Sequence, residues 1–385
     1  MEEKDGLVLG IELCENTSQV CFYNDKLNTP TAAASEDGKI LIPNPIPLSE
    51  CFSQDESADV LADMLAVLIE CGRRSAGRTR IAGICICIEQ FVTKNLEKIA
   101  AAMSRILYEK EDYEIICRAE AFAYYAYSQK KELYLTGTML LDLGENGLCV
   151  CRLSSERKNG VDYIYETRRE FNSPELIETG RGEKNLDDVS DELCNIILEM
   201  TSGIHVSSIY LTGRGFDTDK LPDNLVKAVC SRRKAFSGQN LYVKGACFCA
   251  RESLNGTVFD NLILYCSERI RYGLEIDISE RGHLKRFRIA RAGMNWFEAE
   301  RYMDFILEEE RQLVFYLTDG EKVVAEKIID ISDIPFREKK LTRINVHVKY
   351  MAADRCVITV TDMGFGEFIK PSGNVFELEI NDDFM

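Results

Sequence analysis

The chain is poor in histidine, tryptophan and proline: its 385 residues include three histidines, one tryptophan and eight prolines. So few histidines, and no C-x-x-C pair, make a metal centre a poor expectation despite fifteen cysteines. Long apolar runs are missing as well, and none approaches the roughly 18 residues that span a bilayer. The start, Met1-Glu2-Glu3-Lys4-Asp5, has neither the basic residues nor the apolar core of a signal peptide. These absences lead us to expect a cytoplasmic chain with no membrane partner. Positive charge is in deficit too, with 47 Lys and Arg against 64 Asp and Glu, a net charge of −17. Such a surface repels phosphate backbones and argues against nucleic acid as a partner. Low-complexity sequence is absent. With 45% apolar and 29% charged residues the composition is that of a globular protein, and the length suggests two or three domains.

The cysteines admit two readings. Cys85/Cys87, Cys149/Cys151 and Cys247/Cys249 are C-x-C pairs, and on a strand residues i and i+2 share a face, which would let each pair present two thiolates to a metal. Alternatively they are small buried hydrophobes in a reducing compartment. The odd count and the apolar setting of Gly83-Ile84-Cys85-Ile86-Cys87-Ile88 favour the second reading.

Along the chain, Leu7–Leu13 predicts a strand, 14–18 a polar turn, and Gln19–Tyr23 a return strand, together a hairpin. Residues 29–50, with four of the prolines, read as a loop. Apolar spacing at Val60, Leu61, Met64, Leu65, Leu68 and Ile69 predicts a helix over 55–72, with Ser57 as its N-cap. Gly83–Ile88 is a buried strand, and helices follow over 93–107 and 119–130. A second unit opens at Gly137 with strands over 138–143 and 148–153 around the turn Gly144-Glu145-Asn146-Gly147. Helices over 187–201 and 221–231 flank a strand at 208–211 that ends in Thr212-Gly213-Arg214-Gly215. Residues 242–247 lead into a last short helix. The two halves share an element order but not residue identity, a weak internal repeat. Residues 258–265 look like an apolar connector. Alternating strands at 284–290, 313–317, 323–329, 344–350, 356–361 and 375–380 then predict a β-sandwich. The expected domains are 1–134, 135–257 and 258–385.

Two hairpin turns opening two similar halves, with a strand ending in a glycine turn, suit a phosphate chain held between lobes. Backbone N–H groups and hydroxyls of the turns would face phosphates, and a carboxylate at each strand end would orient Mg²⁺. The glycine turn would let the backbone approach a base or ribose. The candidate nucleotide-binding residues are Glu12, Asn16, Thr17, Ser18, Asp142, Gly144, Asn146, Gly213, Arg214 and Gly215. Taken singly, each hairpin is equally an ordinary polar turn of a mixed sheet.

With these residues the chain resembles the actin-like ATPase fold, most closely the seventy-kilodalton heat-shock (DnaK-type) chaperone family. The family's first phosphate turn is similar to Gly10–Ser18 and its second to Leu141–Gly147. Its interdomain helix is similar to Ile115–Tyr124, its adenosine turn to Leu211–Gly215 and its closing helix to Gly245–Ala250. The region 262–380, including Asp319-Gly320-Glu321, Ile331–Pro335 and Ile344–Val348, resembles its substrate-binding β-sandwich. The resemblance implies two ribonuclease-H-like α/β lobes with reduced insertions, followed by an all-β domain that holds a protein or peptide partner through backbone hydrogen bonds and apolar pockets.

The departures bear on activity. The family's first turn carries Asp, Gly and two Thr where this chain has Glu12, Cys14, Glu15 and Asn16. Cys14 brings a Cβ where backbone freedom is needed. Glu15 would set a negative charge among phosphates, costing about 4 kcal/mol at ~4 Å and an effective dielectric of ~20. Glu145 adds another acid, and Arg118 stands where the family has a water-positioning carboxylate. Arg118 reads either as a solvated helix-start cation or as a cleft residue. No catalytic residue and no metal ligand is expected, Mg-ATP is the one candidate cofactor, and hydrolysis is expected to be weak or absent. The leading expectation is thus a pseudo-ATPase acting in protein–protein interaction. The alternatives are a working Mg-ATP-dependent chaperone ATPase and a small-molecule kinase of the same fold. Trp296 reads as a residue of the sandwich core ahead of a binding anchor. The basic stretch Arg281, Lys285, Arg286, Arg288 and Arg291 and the acidic Glu308–Glu310 read as charged sandwich edges or as the walls of a partner groove.

Overall fold

Seven consecutive residues, Leu7–Leu13, form β1, and every one is buried. A strand covered on both faces is a continuous apolar run and not an alternation. The computed structural model describes residues 6–26, 28–54, 58–77, 80–158, 160–256, 262–308, 310–320, 322–338 and 340–381. The expected N-cap Ser57, the first part of the connector at 258–261, Glu309 and Glu321 lie outside the described residues. The chain divides into two compact units, Met1–Cys266 and Ser267–Met385.

The first half of the first unit continues with β2 (Thr17–Asn24), β3 (Thr29–Ala32), β4 (Ile42–Pro43), α1 (Leu48–Ser53) and α2 (Ala58–Ala76). It closes with β5 (Ile81–Ile88), α3 (Thr93–Arg105), β6 (Tyr113–Cys117) and α4 (Arg118–Tyr127). Its sheet runs β3-β2-β1-β5-β6, with β4 added on β2. β1 is antiparallel to β2 and parallel to β5, and β5 is parallel to β6. Helix α2 buries Leu61, Met64, Leu65, Leu68 and Ile69, the i, i+3, i+4, i+7 stripe read in the sequence.

The second half repeats the plan. It contains β7 (Thr138–Gly144), β8 (Gly147–Lys158), β9 (Val161–Phe171), α5 (Pro174–Gly180), α6 (Ser190–Thr201) and β10 (Ser208–Thr212). Then come α7 (Asp223–Cys230), β11 (Lys234–Ser237), α8 (Leu241–Asn255) and β12 (Leu262–Tyr265). Read from β9, its sheet runs β9-β8-β7-β10-β11, the order and strand senses of the first sheet. β12 adds to the edge, parallel to β9. Residues 262–265, expected as part of a connector to the sandwich, are therefore an edge strand of the second sheet. Residues 113–117, of which 115–117 are expected in a helix, form β6 at the edge of the first.

Helices α4 and α8 lie between the two sheets. One core cluster joins Val8, Cys85 and Cys87 of the first sheet, Phe122 and Ala123 of α4, Ala246 and Cys249 of α8, and Leu140, Cys151 and Ile164 of the second sheet. The helices cross closely because Gly245 faces Ala121: a Cβ there would stand 1.9 Å from the Ala121 carbonyl oxygen. Helix α8 meets β1 at Gly10, where a Cβ would fall 2.3 Å from the Cys247 nitrogen. A second cluster, with Leu141, Leu143, Leu176, Leu193, Ile197 and Phe216, fills the outer side of the second sheet. Five of the C-x-C cysteines are buried, Cys149 is half-buried, and all fifteen cysteines are unpaired by disulfide.

The second unit is antiparallel throughout. It comprises β13 (Gly273–Glu280), β14 (His283–Ala290), β15 (Glu300–Leu307), β16 (Gln312–Asp319), β17 (Lys322–Asp330), β18 (Thr342–Ala352), β19 (Arg355–Asp362) and β20 (Val375–Asn381). One sheet runs β14-β13-β16-β17 and the other β15-β18-β19-β20. Alternate residues are buried, as at Ile344, Val346, Val348 and Tyr350 in β18. Trp296 is buried. The loop after β17 is tied to β19 by a bidentate pair, Arg337 Nη1 and Nη2 donating to Asp362 Oδ1 and Oδ2 at 2.7 and 2.6 Å. Within the expected basic stretch, Lys285, Arg286 and Arg288 of edge strand β14 pair with Glu280, Asp277 and Glu275 of β13.

Candidate functional site

The first turn, between β1 and β2, is stapled from behind by a residue the loop reading passed over. Asn44 Nδ2 donates to the carbonyls of Cys14 and Glu15 at 2.8 and 3.2 Å, and its Oδ1 accepts from Ser18 Oγ at 2.8 Å. Cys14 needs no left-handed backbone, since it is not among the positive-φ residues. Glu15 lines the cleft, so its negative charge stands there as expected. Its carboxylate accepts from the Ser49 amide at 3.1 Å and from the Ser49 hydroxyl, capping the start of α1.

The second turn, Gly144 to Gly147, closes the β7–β8 hairpin with Gly147 at φ +103°. Helix α5 packs against its back so tightly that a Cβ on Gly180 would sit 1.8 Å from the Gly144 carbonyl oxygen. The two turns meet: Asn16 Nδ2 donates to Glu145 Oε1 at 3.3 Å. Asn16, expected to face a phosphate, thus donates to the acid that the second turn adds.

Arg118, the first residue of α4, extends between the sheets and settles the choice left open by the sequence: it is a cleft residue. Its Nη1 lies 3.2 Å from Asp142 Oδ2 and 3.2 Å from Glu89 Oε2, and its Nη2 lies 3.9 Å from Glu12 Oε1. Only 23% of its side chain is exposed, and its guanidinium covers the Tyr242 ring at 5.0 Å. Burial alone would disfavour its charge, but Asp142 and Glu89 more than restore it. Tyr242 Oη donates to the same Asp142 oxygen at 2.9 Å. Glu12 is 4% exposed. Burial pushes its carboxyl up to about 7, against the pull of Arg118 and a hydrogen bond from Cys14 Sγ at 3.2 Å.

The glycine turn after β10 is occupied from within. Gly213 has φ +92°, and a Cβ there would stand 2.5 Å from Asp142 Oδ1. Its N–H donates to Gln239 Oε1 at 3.1 Å, and its carbonyl accepts from Gln239 Nε2 at 3.0 Å. Both backbone groups that a base or ribose would address already have an amide partner.

Seven of the ten expected site residues, Glu12, Asn16, Asp142, Gly144, Asn146, Gly213 and Arg214, line one cleft of about 560 Å³. Thr17, Ser18 and Gly215 do not. Thr17 and Ser18 pair with Pro43 and Ile42 of β4, and Gly215 is packed on the Leu143 side chain. The sequence reading missed Gln19, Asn44, Glu89, Gln239 and Tyr242. Glu89 carried a usable signal, because it follows a buried strand directly, where α/β sheets place their site residues.

The carboxylates of Glu12 and Asp142 are engaged by Arg118, and Gln239 takes the polar atoms of the glycine turn. No group of three or more His, Cys, Asp or Glu side chains poised to hold a metal occurs among the described residues. No helix among them is long and apolar enough to cross a membrane.

Two family models match the sequence. Residues 52–267 match the C-terminal model of a family of unknown function, DUF5716, and residues 269–381 match a domain of unknown function, DUF8552. The limit between the two matches coincides with the division between the compact units at Cys266 and Ser267. The first turn, with Glu12, Asn16, Thr17 and Ser18, lies outside the first match, while the second turn and the glycine turn lie inside it. A comparison with curated proteins found no match.

Proposed function

We propose that this chain, which belongs to the DUF5716 family of unknown function, is a degenerate relative of the actin-like chaperone ATPases that neither binds nor hydrolyses Mg-ATP and serves in protein association. One observation carries the reading: the Arg118 guanidinium lies 3.2 Å from both Asp142 and Glu89, at the point where the two halves of the first unit converge. A hydrated Mg²⁺ needs oxygen ligands that are free to accept its waters. Here a permanently charged side chain from the same chain neutralises them. The repeated sheet order, with α4 and α8 between the sheets, supports the two-lobed reading of the first unit. The direct Asn16–Glu145 bond supports the loss of the phosphate cradle. Association is assigned to the second unit, whose paired four-stranded antiparallel sheets are the architecture a peptide-holding sandwich needs.

Thermal melting with and without Mg-ATP, with phosphate release measured in parallel, tests the proposal. A ligand present at 100 times its dissociation constant stabilises by about 2.7 kcal/mol and moves the midpoint by several degrees. The proposal expects no shift at millimolar nucleotide and no phosphate above the buffer control. A shift accompanied by phosphate release would establish a working ATPase.

A further inference from the structure

Outside the cleft, the first unit carries a second concavity of about 550 Å³, between helix α2 and the loop that follows β3. The loop is held rather than loose. Cys71 Sγ of α2 donates to the Ala34 carbonyl at 3.1 Å, Arg74 of α2 pairs with Glu36, and a turn from Ser35 to Lys39 closes on itself at 2.8 Å. This frame presents apolar side chains to solvent: Val67 of α2 is 56% exposed, and Ile40 and Leu41 of the loop are 45% and 44% exposed. Ile42 and Val67 both line the concavity. Its lining charge is acidic on balance, from Glu36, Asp37 and Glu70 against Arg74; Arg74 pairs with Glu36, and the adjacent Arg73 donates to Glu70 at 2.8 Å, which leaves Asp37 as the acid of the lining with no ion pair among the described residues. Asp63, one helical turn before Val67 on the exposed face of α2, extends the acidic border.

An apolar floor with an acidic rim, on a chain of net charge −17, selects for its complement. We infer that this groove docks a basic amphipathic segment of a partner protein, one that inserts apolar side chains spaced a helical turn apart beside Val67 and Ile42 and sets Lys or Arg against Asp37, Asp63 and the outer face of Glu36. Helix-in-groove recognition works this way, with apolar anchors giving affinity and the charged border giving orientation and rate. The held loop lowers the ordering cost of binding. The surface does not involve the cleft, so it stands whether or not nucleotide binds there.

The test uses the full chain and a fluorescently labelled synthetic Leu/Lys amphipathic peptide, with a Leu/Glu peptide of the same pattern for comparison. Binding is followed by anisotropy. The inference expects saturable, salt-sensitive binding of the Leu/Lys peptide and none of the Leu/Glu peptide. It expects about tenfold or greater weakening by Val67→Glu and by the double change Glu36→Lys with Asp37→Lys. Leu198→Glu, at an exposed apolar position on α6, is expected to leave binding unchanged. All these positions are on the surface, and an unchanged melting midpoint checks that each variant folds. Equal binding by wild type and Val67→Glu, or equal weakening by Leu198→Glu, would mean that the peptide is held by net charge alone and would overturn the inference. So would the absence of saturable binding.

Discussion

Replacing Glu12 with glutamine is expected to remove a pH dependence that burial imposes on the first unit. The Glu12 carboxyl ionises near 7 in the folded protein, against an ordinary value of 4.5. Between those two values the folded chain holds a proton that the unfolded chain has released. Stability from this group is therefore complete below about pH 4.5, falls as pH rises, and levels off above about 7. The difference of 2.5 (7 minus 4.5) corresponds to about 3 kcal/mol at 1.36 kcal/mol per pH unit. A glutamine does not titrate, so the stability difference between Glu12→Gln and wild type is expected to grow by about 3 kcal/mol in the variant's favour from about pH 5 to about pH 8. Comparing the two pH values cancels whatever the substitution does to packing. The sole tryptophan, Trp296, lies in the second unit, so its fluorescence is blind to this effect. Hydrogen exchange of β1 and β5 at increasing urea reports on the right part of the chain. Parallel pH profiles for wild type and Glu12→Gln would refute the reasoning, because they would mean that the carboxyl is solvated.

Other consequences are open to measurement. Arg118→Met leaves Glu12, Glu89 and Asp142 without their shared cation and is expected to cost about 2–4 kcal/mol by urea unfolding of the first unit; an unchanged midpoint would remove Arg118 from the account. Gly245→Ala forces a Cβ to within 1.9 Å of the Ala121 carbonyl oxygen and is expected to cost more than about 2 kcal/mol, read by calorimetry. In the second unit, Arg337 and the amides of Gly364 and Ser372 hold the Asp362 carboxyl well below its ordinary 3.8. Its stabilisation is present above that value and is lost as pH falls below it. Asp362→Asn is expected to cost about 3 kcal/mol at neutral pH and to flatten this acid-side loss, both read from Trp296 fluorescence.

What could be read in advance depended on whether an element declares itself locally. β1, β5 and β7 did so because strands covered on both faces are nearly continuous apolar runs, broken near their ends by Glu12 in β1 and Asp142 in β7. The turn at 144–147 did so because its glycines mark a tight hairpin. The long β9 did not, since Val161–Phe171 alternates Tyr, Glu and Arg on a half-exposed face and looks polar. β6 was hidden behind α4, because Ile115 to Ala126 is apolar but for Arg118 and Glu120, and only the Cys117–Glu120 capping box marks where strand becomes helix. The site was legible in the same partial way. Glu12 and Asp142 stand at strand ends, where sequence pattern finds them, and Arg118 was conspicuous at a helix start. Gln239, Asn44 and Tyr242 act across 26 or more residues, and nothing near them in the chain foretells their partners. Glu15 was legible as a charge on the cleft, but its partner at the start of α1, Ser49, was not.

The account rests on a cleft whose carboxylates and glycine turn are engaged by the chain's own side chains. Hydrogen–deuterium exchange of the segments containing Glu12–Gln19, Asp142–Cys149 and Thr212–Phe216, with and without millimolar Mg-ATP, reads that cleft directly. The account predicts superimposable exchange in all three. Protection by nucleotide in the two hairpin turns and the glycine turn together would contradict it.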